Sequence, residues 1–177
     1  MKVLKALIAA VVILIVVVAG VGLLLPSSYT VERSIVIDAT PEEVHEYVGD
    51  LKKWDDWSPW KEEDPSIVVS LGEKASGVGA SQSWVGDSGT GALTITESSP
   101  TEGIKYDLLF DGGTYECTSS MTYDRLQEGG TKVTWDMSGD MGRSVTGGYF
   151  AVLMDPMVGS MFDKGLSNLK REVEENK

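Results

Sequence analysis

Residues 104–123 read IKYDLLFDGGTYECTSSMTY. Ile104, Tyr106, Leu108 and Phe110 alternate onto one face of a strand. After the turn chemistry of Asp111-Gly112-Gly113, the residues Tyr115, Cys117, Met121 and Tyr123 alternate onto a matching face of the next strand. The pattern extends in both directions. Strands are predicted over 66–71, 78–85 and 91–97 before this hairpin and over 131–138 after it. Turn-forming segments rich in Gly, Ser, Asp and Pro separate them. Trp84, Leu93, Ile95, Val133, Trp135 and Met137 continue the apolar face, so residues 66–139 predict six antiparallel strands.

Upstream, residues 29–38 (YTVERSIVID) alternate and are rich in β-branched side chains, which predicts a further strand. Thr40-Pro41-Glu42-Glu43 then supplies an N-cap, a first-turn proline and the partner of a capping box. Val44, Tyr47, Val48 and Leu51 follow at helical spacing. His45 falls beside this stripe among glutamates and reads as a solvated side chain. Downstream, Tyr149, Phe150, Leu153, Met154, Met157, Met161, Phe162, Leu166, Leu169 and Val173 recur mostly three or four apart, which predicts a C-terminal helix. Pro156 and Gly159 predict a kink or interruption, with residues 161–175 the more secure part.

Residues 6–25 (ALIAAVVILIVVVAGVGLLL) form a run of twenty without charge. At about 1.5 Å per residue the run is about 30 Å long, the thickness of a bilayer's hydrocarbon core. Lys2 and Lys5 precede it, so the positive-inside rule places the N-terminus in the cytoplasm and the remainder outside. A cleaved signal would have a shorter apolar core ending in small residues, and Leu23-Leu24-Leu25 occupies that place. The expectation is an uncleaved single-pass anchor over 1–26 and one domain over 27–177. Few residues separate the span from the first strand, which keeps the domain close to the membrane surface.

Apart from Lys2 and Lys5, 13 basic side chains face 27 acidic ones, a net charge of −14 for residues 27–177. Such a domain does not suit nucleic acid or anionic lipid surfaces. Cys117 is the sole cysteine and His45 the sole histidine, so an internal disulfide, a thiolate cluster and a two-histidine zinc site are excluded. No metal or cofactor is expected. Three of five tryptophans lie within Trp54-Asp55-Asp56-Trp57-Ser58-Pro59-Trp60. The run reads first as a packing corner, with Trp60 the member best placed to meet a ligand.

The order of strand, short helical segment, six strands and long helix resembles the START-like superfamily, also called SRPBCC, Bet v 1-like or polyketide cyclase/dehydrase. The resemblance rests on Ala39-Thr40-Pro41-Glu42-Glu43-Val44 and on the tryptophan run. It continues through Gly77-Val78-Gly79-Ala80, Val133-Thr134-Trp135 and Phe162-Asp163-Lys164-Gly165-Leu166, so that it covers residues 29–175. Bacterial members with an N-terminal membrane segment look especially similar. The resemblance implies an α+β helix-grip fold, a curved antiparallel sheet of about seven strands wrapped on the C-terminal helix and preceded by a transmembrane helix. It also implies a cavity between sheet and helix for a hydrophobic small molecule or lipid. The candidate lining residues are Trp60, Trp84, Tyr106, Phe110, Tyr115, Tyr123, Trp135, Met137, Phe150, Met154, Met157, Met161 and Phe162. Tyr106, Tyr115, Tyr123, Gln82 and Ser119 would lend polar selectivity.

Two alternatives stand beside this reading. A cyclase or dehydratase would need a placed acid or base, for which Asp136, Asp140 and the tyrosines are the candidates. A non-catalytic interaction module at the membrane would have a closed core. No convincing catalytic set is visible, and His45 has no orienting partner in the sequence.

Overall fold

The computed structural model describes residues 2–176. Its first element, helix α1 (Lys2–Leu24), is the one helix among the described residues that is long and apolar enough to cross a membrane. The chain then enters β1 (Ser28–Ile37). The capping box forms as expected. The amide of Glu43 donates to Thr40 Oγ1 at 3.3 Å, the amide of Thr40 donates to Glu43 Oε2 at 2.7 Å, and Pro41 opens α2 (Pro41–Val48). Two single-turn helices follow, α3 (Trp54–Trp57) and α4 (Trp60–Glu63), on either side of Pro59.

The remaining strands are β2 (Val68–Leu71), β3 (Ser81–Gly86), β4 (Gly89–Ser99), β5 (Gly103–Phe110), β6 (Tyr115–Arg125) and β7 (Thr131–Asp140). They form one antiparallel sheet in the order β1-β7-β6-β5-β4-β3-β2. The first strand therefore pairs with the last, a long-range closure that alternation alone does not encode. Register shifts between Ile95 and Glu97, a bulge in the β4–β5 ladder. The predicted strands 66–71 and 78–85 begin two and three residues too early, since the amide of Ser66 turns back onto Asp64 Oδ1 and Gly77 and Gly79 hold positive φ ahead of β3.

Helix α5 (Val145–Glu175) runs as one element through Pro156, contrary to the expected interruption. A proline inside a helix costs about 3 kcal/mol. Against that, α5 buries Ala151, Phe162, Leu166, Leu169 and Val173 on one side, and one buried Leu or Phe contributes about 1.5–3 kcal/mol. Several such side chains outweigh the proline. Arg33 of β1 also bridges it, reaching Asp155 at 2.8 Å and Asp163 at 3.3 Å. Gly159 leaves room for that guanidinium, because a Cβ there would stand 2.0 Å from Arg33 Nη2.

The base of α1 packs on the start of α5 through small residues. A Cβ on Gly148 would stand 2.3 Å from the carbonyl oxygen of Gly22. The Tyr149 hydroxyl donates to the carbonyl of Val18 at 2.8 Å.

Candidate binding site

Pairing across the sheet sets the inner face in rows. The row nearest the α1 end runs Trp84, Gly91, Phe110, Tyr115. The next runs Tyr29, Gly139, Cys117, Leu108, Leu93. Beyond it lie Val31, Met137, Ser119, Tyr106 and Ile95, then Arg33, Trp135, Met121 and Ile104.

The deeper rows are filled. Trp135, 1% exposed, stacks on Phe162 with ring centroids 4.1 Å apart. Trp57 meets Trp135 edge-on at 5.5 Å, and Trp54 meets Tyr106 at 5.6 Å. Trp54 and Trp57 thus lock the short helices onto the sheet, as a packing corner. Polar atoms here satisfy one another. Trp135 Nε1 donates to the Tyr106 hydroxyl at 2.8 Å, and Ser119 Oγ lies 2.9 Å from the same oxygen. Burial pushes the Tyr106 phenol well above its ordinary pKa. Tyr106 and Ser119, expected to offer polar selectivity, are occupied inside the core.

Tyr123 is also buried, and burial raises its pKa. His45 is the correction here. It is not a solvated side chain, for its Nδ1 lies 3.4 Å from the Tyr123 hydroxyl and its Nε2 lies 3.2 Å from Ser98 Oγ. Desolvation lowers its pKa, so the neutral ring is favoured. The sequence placed His45 beside the apolar stripe of α2 but carried no sign that β4 and β6 would close over it.

The row nearest α1 is different. Trp84 lies over Gly91, where a Cβ would stand 2.1 Å from its ring, and it meets Phe110 edge-on at 5.7 Å. Both are only half-buried, and Tyr115 is 49% exposed. Met137 is buried two rows deeper, and Met154 of α5 is partly buried against the same core. Met161 is likewise partly covered. Trp60 is 36% exposed and meets Trp135 at 6.4 Å, at the rim opposite to the Trp84 row. Phe150 and Met157 do not join the others. They are 56% and 58% exposed and stand on the face of α5 opposite its buried residues.

The acidic candidates fall outside the grip. Asp136 alternates onto the outer face and accepts from Ser120 Oγ. Asp140 accepts from Ser27 Oγ at 3.2 Å and from the amide of Gly142 at 2.7 Å, tying down the strand end. Cys117 is buried, which raises its thiol pKa and leaves it poorly reactive. Among the described residues no group of His, Cys, Asp and Glu side chains could hold a metal ion.

Two hollows stand out among the described residues, and neither of these is an enclosed apolar chamber. One of about 840 Å³ is open and lies mainly on the outer face, among Thr30, Thr94, Asp107, Glu116, Thr118 and Ser138. One of about 210 Å³ lies at the α1–α5 junction, among Gly22, Leu23, Leu25, Arg143 and Ser144.

A seven-stranded antiparallel sheet gripping a long C-terminal helix defines a helix-grip protein. Residues 28–174 match the family model described as polyketide cyclase / dehydrase and lipid transport, and the chain belongs to that family. Solved structures agree on the fold. A protein from Chromobacterium violaceum superposes with a TM-score of 0.60 at 19% identity, covering 82% of this chain and 98% of that one. DynU16, from the dynemicin biosynthetic locus, gives 0.59 at 20% identity, covering 84% of this chain and 48% of that one. The di-domain ARO/CYC protein BexL, from the BE-7585A biosynthetic pathway, gives 0.57 at 16% identity and covers 84% and 50%. This chain therefore spans about half the length of the last two. A search of curated protein sequences finds no significant match.

Proposed function

We propose that this protein is a single-pass, membrane-anchored binding domain for a hydrophobic small molecule, lipid-like or polycyclic. Residues 1–26 form the anchor, with the N-terminus in the cytoplasm, and residues 27–177 form the extracytoplasmic binding domain. One observation carries the reading. The loosely covered aromatic row Trp84, Phe110 and Tyr115 lies at the same end of the sheet as Ser28, where the chain leaves α1. An apolar ligand entering there meets aromatic faces first and passes between membrane and protein with little exposure to water. Met137, Met154 and Met161 form the deformable inner wall, since methionine re-packs around varied shapes. Tyr106, Tyr123, Trp135 and Phe162 form its floor, and Trp60 closes the opposite rim.

Binding is favoured over catalysis because the acids a cyclase would use, Asp136 and Asp140, lie on the outer face or bond the strand end. An acid or base acts only within hydrogen-bond reach of its substrate.

Native mass spectrometry of the full chain released from phosphatidylcholine nanodiscs tests the proposal. The expected result is a retained non-covalent mass on the native sequence that is lost with Trp84→Ala and Phe110→Ala together. A chain that carries no added mass and takes up no Nile red would overturn it.

A further inference from the structure

Helix α5 changes character along a single line of its surface. Positions 150, 157, 164 and 171, seven residues apart, carry Phe, Met, Lys and Arg in turn. Phe150, Leu153 and Met157 are 56%, 48% and 58% exposed. Val145 to Met154 carry no charged side chain, and Asp155, the first, is paired with Arg33 of β1. The second half of the same face, with Lys164 and Arg171, is built for water; the first half is not. Three large apolar side chains uncovered on adjacent turns mark a surface with a missing apolar neighbour.

The contacts with α1 identify that neighbour. Tyr149 bonds the carbonyl of Val18, which stands about 9 Å along α1 from its last residue. Gly22 and Gly148 bring the two backbones together about one turn nearer the end of α1. Small residues at a helix crossing allow such close approach within a membrane, and tyrosine favours the bilayer interface. Arg143 and Ser144, just ahead of α5, line the hollow beside Leu23 and Leu25, so polar and apolar groups meet at this depth.

We propose that residues 145–159 lie in the boundary between headgroups and acyl chains of the outer leaflet, with Phe150, Leu153 and Met157 set among the lipid tails. The proposal rests on the reading of α1 as a membrane span. It gives the domain a second, non-covalent membrane contact that fixes its orientation. The domain's net charge of −14 makes a zwitterionic surface the suitable one.

Single cysteines test it in the full chain, with buried Cys117 left in place. Leu153→Cys, Met157→Cys, Lys164→Cys, Arg171→Cys and Val12→Cys are each labelled with an environment-sensitive fluorophore in phosphatidylcholine vesicles. Quenching by nitroxide on the acyl chains is compared with quenching by aqueous cobalt. Labels at 153 and 157 are expected to quench several-fold more with the lipid nitroxide, and labels at 164 and 171 several-fold more with cobalt. If 153 and 157 are as open to cobalt as 171, the inference is wrong. It is equally wrong if both are shielded from either quencher and cross-link to a second copy. The label at Val12 separates the two readings. Lipid quenching there with aqueous quenching at 153 removes this inference alone, whereas aqueous quenching at Val12 removes the anchor as well.

Discussion

The two ends of the inner sheet face use aromatic side chains in opposite ways. In the deeper rows Trp135 and Tyr106, with Trp57 and Phe162 packed on them, are at most 2% exposed, and the indole and phenol of Trp135 and Tyr106 bond each other. Beside α1, Trp84 and Phe110 are half-buried and Tyr115 is open. The first group acts as core, where packing is dense and each polar atom needs a partner. The second group has apolar surface still to cover. The same residue types on one face are therefore scaffold at one end and candidate site at the other, and the bilayer lies on the candidate side in the proposed orientation.

Substitutions can break this contrast. Trp135→Ala should have the largest effect, a loss of about 3–5 kcal/mol as expected for emptying a large core site. Denaturant melts of the full chain in detergent would read it. Trp135→Phe keeps the stack on Phe162 but removes the donor to Tyr106, whose phenol retains Ser119 Oγ, and the lost hydrogen bond should cost about 0.5–1.5 kcal/mol in the same melts. Trp84→Ala should reverse the balance, with stability changed little and Nile red affinity falling about tenfold, or about 1.4 kcal/mol. A large stability loss at Trp84 with unchanged affinity would make both ends core.

The smallest effect concerns His45, at the margin of the closed end. Its folded pKa lies below the ordinary value near 6.5, so the unfolded chain binds the proton more readily. Its contribution to stability should be complete above about pH 6.5 and fade as pH falls through that value toward the lowered one. In His45→Gln that part of the pH profile should flatten.

Much of this was legible in the chain. Alternation places Trp84, Phe110, Tyr115 and Trp135 on one face, and the capping box fixes the start of α2. Alternation reports the face and not the depth, so it treats Trp84 and Trp135 alike. Depth comes from the pairing of β1 with β7 and from where α5 lies, both set by contacts distant in sequence. The helical period likewise gathered Phe150 and Met157 with Met154 and Met161. Only the folded helix separates the outward pair from the partly covered one. Pro156 does not interrupt α5 because the proline rule is local, while the burial that overrides it is not.

In the proposed orientation, ligand enters at the α1 end and leaves the deep core unchanged. Hydrogen–deuterium exchange of the full chain in phosphatidylcholine nanodiscs, with and without Nile red, tests it most directly. Added protection is expected in β3 and in the 111–113 turn beside Phe110 and Tyr115, with β7 around Trp135 unaltered. Protection confined to β7 and the Trp57 region, or none in the domain at all, would contradict it.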